Sequence, residues 1–195
     1  MNWKGYAMRL LFTFLLLLTA MPLTAQVEYH VDRESANMVK FISDAPVEDF
    51  EGVTKNIDGY LSHTSDGITD GSKLYFEVDL RTVDTGIGLR NRHMREDYLH
   101  TDKYPFAKFT GRIVEAEPSG GKIKVTLRGH MDIHGVKKAM KISGTVSEKA
   151  GALHIATTFD VKLTDHKIEV PSFMFLKIDE TMKLVLDFHL KKVKG

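Results

Sequence analysis

From residue 27 onward, apolar and polar positions alternate with a period of two, the mark of strands with one face buried. Residues 122–133 show it best. Ile123, Val125, Leu127, Gly129, Met131 and Ile133 fall on one face, and Lys122, Lys124, Thr126, Arg128, His130 and Asp132 on the other. A helix, with its period of 3.6, cannot sort residues this way. Twelve residues extend to about 40 Å, which suits a tall barrel. The alternation recurs at Leu74, Phe76, Val78 and Leu80, from Leu153 to Leu163, and from Met182 to Leu190. Shorter strands are predicted over 29–31, 39–43, 56–62, 107–115 and 138–147.

Turn signals separate these runs: Ser65-Asp66-Gly67, Asp70-Gly71, Pro118-Ser119-Gly120-Gly121, His134-Gly135 and Ala150-Gly151. The short gaps predict hairpins between neighbours. One polar face per strand argues against a parallel sheet covered on both sides by helices. The fold class is therefore all-β and antiparallel, and on pattern alone sandwich and closed barrel both fit. Residues 89–99 break the alternation and predict one short helix, with Met94 and Tyr98 as its apolar i,i+4 pair. Tyr104-Pro105 then returns the chain to extended geometry.

The N-terminus follows another pattern. Arg9, with Lys4 upstream, precedes the apolar run Leu10–Leu18, broken only by Thr13. Pro22 and Thr24-Ala25 then offer a peptidase site. A membrane span needs roughly 20 apolar residues, about twice this core. Residues 1–25 therefore read as a cleaved signal peptide, with cleavage after Ala25 or after Ala20, and residues 26–195 as one domain. Periplasmic or secreted localisation follows, with no integral membrane segment left after cleavage. Removing Lys4 and Arg9 lowers Lys plus Arg from 27 to 25 against 26 Asp plus Glu, a net charge of −1. No bulk electrostatic pull toward nucleic acid or anionic membrane follows from that balance. The chain has no cysteine, which excludes disulfides and thiol catalysis.

Nine histidines raise the question of a metal. His130 and His134 are four apart, a zinc spacing on a helix; on a strand they would stand about 13 Å apart. Asp165-His166 and Asp187-x-His189 lack a third partner in the linear sequence. No Gly-x-Ser-x-Gly elbow occurs, and Gly86-x-Gly88 is only a fragment of a phosphate loop. No catalytic residue, metal site or resident cofactor is assigned.

Arg90, Arg92, His93 and Arg95 cluster on the helix, near Glu96, Asp97 and Asp102. They fit a solvated helix face or a cationic rim for an anionic head group, where the planar arginine fork suits phosphate and carboxylate. Inward-facing Phe41, Phe76, Val78, Phe109, Leu127, Met131, Met140, Ile142, Phe159 and Phe188 either fill a core or line a ligand channel. A barrel of about eight strands can do either. The full chain has nine Met and eleven Phe, and those on inward positions would give such a channel a polarizable wall.

The ordered set Val83-Asp-Thr85, Arg90-Asn-Arg-His-Met-Arg95, Asp102-Lys-Tyr-Pro105, Phe109, Leu127-x-Gly129 and Ile133-His-Gly-Val-Lys-Lys138 resembles the YceI-like family of lipocalin-like bacterial proteins. The resemblance runs over most of residues 27–193. It implies an extended eight-stranded antiparallel barrel partly closed by a helix, in exported proteins, some of which bind polyisoprenoid chains. His93, Met94 and Arg95 match the family's helix motif, and Tyr104, Pro105 and Phe109 its next segment. Asn91 stands where the family commonly has Asp. Leu163-Thr-Asp-His-Lys-Ile168 replaces an Arg-x-Asp-Phe-Gly-like segment, with only Asp165 in common.

The expectation is an exported carrier that sequesters a long apolar lipid, polyisoprenoid or quinone-like, in its barrel, alone or as a homodimer. The alternatives are an envelope stress or interaction protein with a filled barrel, or a hydrolase of a lipid-like ester.

Overall fold

A computed structural model of the chain describes residues 25–43, 49–173 and 176–193. The expected signal peptide, apart from Ala25, lies outside the described residues. The strands are β1 (Gln26–Val31), β2 (Met38–Ser43), β3 (Phe50–Thr54), β4 (Ile57–Thr64), β5 (Lys73–Asp79), β6 (Phe106–Ser119), β7 (Lys122–Ile133), β8 (Val136–Lys149), β9 (Ala152–Lys162), β10 (Ser172–Phe173), β11 (Leu176–Lys177) and β12 (Thr181–Lys192).

The sheet runs β1-β4-β5-β6-β7-β8-β9-β12, and β12 pairs back onto β1. This closure removes the free edges that an open sheet would expose and settles the choice between sandwich and barrel. The hairpin β2–β3 extends the same wall, with β2 on β12 beyond β1. So β1 with β2, and β3 with β4, each act as one wall strand with a break, and the barrel has eight walls.

The break at residues 32–37 is bridged by a side chain. Asp32 N–H donates to His189 O at 2.8 Å. Asn37 Nδ2 donates to Asp32 O at 2.8 Å, and Asn37 Oδ1 accepts from His189 N at 3.0 Å. The buried amide of Asn37 therefore carries the ladder to β12 across the gap, as buried backbone groups require.

Alternation sets the faces as expected. On β7, Val125, Met131 and Ile133 are buried while Lys122, Lys124, Arg128 and His130 are exposed. Two differences have local causes. β6 runs on to Ser119, and its register shifts between Ile113 and Glu115; this bulge turns Ala116 inward and leaves Glu115 exposed. β9 stops at Lys162, and Leu163 opens a 3-10 turn over Leu163–His166 instead of ending the strand.

The helix is split. α1 (Gly88–His93) continues as a π-turn over Met94–Tyr98, closed by Leu99 N–H to Met94 O at 2.9 Å. The wider turn brings Tyr98 and Leu99 onto the apolar interior.

Candidate functional site

Two buried clusters occupy the interior. One holds Leu61, Leu190, Tyr29, Leu153 and Phe188. The other holds Phe109, Met131, Ile133, Ile142, Val161 and Ile168, with Tyr98 and Leu99 packed against it. Leu127 packs against both.

All ten expected lining residues stand on inward rows. The register sets Phe76 opposite Phe109 and Phe109 opposite Met131. Leu127 faces Ile142, and Met140 faces Gly129. Phe159 and Phe41 both flank Leu184, Phe188 faces Ile155, and Val78 faces Ala107. Some of these fill the core outright: Phe76, Phe109, Met131, Ile142 and Phe188 are buried. Phe41, Val78, Leu127, Met140 and Phe159 point inward yet are only half-buried, as are Val39, Leu184 and Leu186. These inward-row side chains thus keep part of their apolar surface uncovered by protein atoms.

The wall beside these side chains is incomplete. β8 and β9 pair only from Gly144 to Lys149 and from Ala152 to Thr157. Toward the helix end the two strands diverge. No ladder joins residues 136–143 to residues 158–162 among the described residues. The segment 163–168 fills the seam. His166 is 2% exposed and Ile168 3%, and Ile168 packs with Ile142 and Val161. His166 Nδ1 donates to Val136 O at 2.9 Å, which fixes the proton on that nitrogen, since the carbonyl can only accept. Lys167 turns the plug through the left-handed region, φ 56°, and Lys138 reaches Asp165 at 4.0 Å. The Asp165-His166 pair is thus structural filling for a gap in the wall. Sequence periodicity had no way to reveal the splay, because both strands alternate normally through it.

The four cationic rim residues divide. Arg90 Nε donates to Thr85 Oγ1 at 3.0 Å and Nη2 to Thr85 O at 2.8 Å, and its guanidinium lies 4.6 Å from the Phe50 ring centroid. Arg95 Nη2 donates to Val83 O at 2.8 Å. Both fasten the helix to the loop at residues 83–85, which is itself held on β3 by paired hydrogen bonds between Val53 and Asp84 at 2.9 Å. Arg92 and His93 face solvent.

Asn91 completes the fastening. Its Oδ1 accepts from Thr85 N at 2.8 Å and Thr85 Oγ1 at 2.7 Å, and its Nδ2 donates to Asp84 Oδ1 at 2.7 Å. That amide, with the Gly86 N–H, holds the Asp84 carboxyl below the usual carboxylate range. A carboxylate at position 91 would have no donor for Asp84.

His134 does meet other histidines, in a stack and not in a metal shell. Its Nε2 lies 2.8 Å from His100 Nδ1, and its Nδ1 lies 3.2 Å from His166 O. No group of three or more His, Asp or Glu is placed to hold a metal among the described residues. No helix among them is long and apolar enough to cross a membrane.

A closed up-and-down antiparallel barrel with an apolar interior and one capping helix defines the lipocalin-like class. The family model of the YceI-like domain matches residues 29–190, and the chain belongs to that family. A UPF0312 protein of Shewanella denitrificans is 32% identical over 99 residues, 50% of either chain. A UPF0312 protein of Photorhabdus laumondii is 34% identical over 88 residues, 45% of this chain and 43% of that one. The matched part thus spans about half the length of these curated relatives.

Solved structures share the fold at low identity. BcnA of Burkholderia cenocepacia superposes with a TM-score of 0.69 at 17% identity, covering 82% of this chain and 98% of that one. A polyisoprenoid-binding domain of Saccharophagus degradans, implicated in plant cell wall breakdown, superposes at 0.66 and 19% identity, covering 85% and 98%.

Proposed function

We propose that this chain is an exported carrier that holds one long apolar lipid, of polyisoprenoid or quinone type, inside its barrel. The observation that carries this reading is the half-buried inward belt of Val39, Phe41, Leu127, Met140, Phe159, Leu184 and Leu186. Uncovered apolar surface inside a barrel is costly unless a ligand covers it, since each buried CH₂ is worth about 0.8 kcal/mol. For a large ligand roughly 0.3 kcal/mol per heavy atom survives as affinity, ample for retention across an aqueous compartment. The fold shared with a polyisoprenoid-binding domain supports the choice of ligand class. On the capping helix, Arg92 and His93 are the rim residues open to a head group. The seam between β8 and β9, plugged by residues 163–168, is the lateral way in. Export follows from the signal-peptide reading of residues 1–25.

Native mass spectrometry of the purified protein, followed by organic extraction, tests the assignment. An adduct of lipid mass that disappears on extraction, and returns on incubation with an isoprenoid quinone, is expected. An apo mass with no quinone uptake would overturn it. N-terminal sequencing of the periplasmic or secreted fraction tests export: a start at Gln26 or Met21 supports it, and an intact Met1 refutes it.

A further inference from the structure

The outer wall carries a feature that net charge conceals. Strand register places Arg112 opposite Arg128 and Arg128 opposite Lys141. The pairing of Leu74 with Gly111 sets Lys73 opposite Arg112. Four cations thus stand in one outward row across β5, β6, β7 and β8, about 4.8 Å apart from strand to strand. Like charges directly opposite destabilise a sheet. The next outward row toward the helix, Tyr75, Thr110, His130 and Ala139, holds no Lys or Arg, and the row beyond it alternates Glu77, Lys108, Asp132 and Lys137. In the cationic row, Lys141 meets Glu115 at 3.9 Å. Lys73, Arg112 and Arg128 have no ion-pair partner among the described residues. A shallow cleft of about 750 Å³ lies over this row, lined also by Thr110, His130 and Ala139. The row ends at β8, where the pairing with β9 stops.

We propose that this row is a docking surface for an anionic membrane leaflet, holding the barrel wall against phosphate head groups with the seam beside them. The inference rests on the lipid-carrier reading for its purpose, and its test does not. Charge complementarity selects the partner: a row of four cations, three of them without an ion-pair partner among the described residues, fits a plane of phosphates. Its strength suits a reversible visit, because each cation near an anionic surface contributes about five-fold in binding.

Sedimentation with phosphatidylcholine vesicles, with and without one-third phosphatidylglycerol, provides the test. Binding to the anionic vesicles alone, lost on adding salt, is expected. Arg112→Gln with Arg128→Gln should weaken it by roughly 30-fold, and Arg112→Lys with Arg128→Lys should retain it. The Gln pair should leave the thermal midpoint unchanged or raise it, since the like-charge opposition is relieved; this separates docking from misfolding. Equal binding to neutral vesicles, indifference to the Gln pair, or binding to soluble polyphosphate without binding to vesicles would each overturn the proposal. Lipid occupancy of the Gln variant, read by extraction, reports separately on the carrier reading. An empty barrel in both proteins with docking intact sinks that reading and leaves the docking surface standing.

Discussion

Gly111 and Gly129 stand directly opposite one another on the inward face of β6 and β7, and the ring of Phe109 lies across both. A Cβ added at Gly111 would come within 2.6 Å of Arg128 O and 2.9 Å of Phe109 Cζ, and one at Gly129 would run into Thr110 O and come within 2.8 Å of Phe109 Cζ. Phe76 has the same relation to Gly59, and Phe41 to Gly52. Large and small residues thus interleave, and each ring makes up for the side chain that its glycine lacks. Gly129→Val should destabilise the fold by about 1–3 kcal/mol through overpacking, read as a fall in the urea midpoint. Phe109→Leu in the same chain should recover part of that loss, because the two sites share one space. Simple additivity would show that the ring does not depend on the glycine.

The fastening of the helix makes a prediction about acid. In the native protein the Asp84 carboxyl is depressed by the Asn91 amide and the Gly86 N–H. Its contribution is full above its unfolded value, near 3.8, and is lost as pH falls through the folded value. Asn91→Asp removes the donor and sets a second carboxylate against Asp84, so one of the pair titrates higher than normal. The sign then reverses: the variant gains stability as pH falls from neutral toward 4, where the unmodified protein stays level. Thermal midpoints across that range check this, and parallel profiles would contradict the assigned role of Asn91.

The barrel's faces were legible in the sequence because burial on a strand follows parity, and every lining residue named from parity stands on an inward row. Closure was not, since alternation fits a sandwich equally well; it depends on the contact of β1 with the far end of β12, a relation between residues about 160 positions apart. The seam was hidden for a related reason. Met140 and Phe159 alternate correctly, and nothing local records that the strands carrying them separate. Arg90 and Arg95 looked like rim cations because charge in a helix reads as solvated or as ligand-binding. Their carbonyl and hydroxyl partners, Val83 and Thr85, lie a turn or more upstream, and these offer no charge to notice. The row of Arg112, Arg128 and Lys141 was spread over three strands and averaged away in the net charge.

Leu127 is where a filled barrel and a ligand-holding one part company. It touches both buried clusters while remaining half-buried itself. Leu127→Trp should occupy the belt with a larger side chain at a cost below about 3 kcal/mol, while abolishing uptake of an isoprenoid quinone. Gly88→Ala, at a position with open space around it and no left-handed backbone, serves as an unaffected control for uptake. If Leu127→Trp takes up quinone as well as the parent does, the ligand does not lie in this belt.

The plug at the β8–β9 seam should govern the rate of exchange more than the stability of the whole. Ile168 is buried among Ile142 and Val161, and His166 ties the segment to Val136 O at 2.9 Å. The plug has no ladder bonds to either strand, so it can open without unfolding the barrel, as weakly bonded segments do. Truncating a buried Ile to Ala removes about 2–5 kcal/mol of packing, and most of that loss should fall on the closed state of the plug. Ile168→Ala is therefore expected to speed release of a bound fluorescent isoprenoid by at least about ten-fold, the factor given by 1.4 kcal/mol. The thermal midpoint of the barrel should fall by only a few degrees. His166→Ala should act in the same direction, by loss of the hydrogen bond to β8. Stopped-flow release into excess vesicles measures both variants. A large fall in midpoint with unchanged release would show that the seam is a structural joint and that the lipid leaves by the helix end.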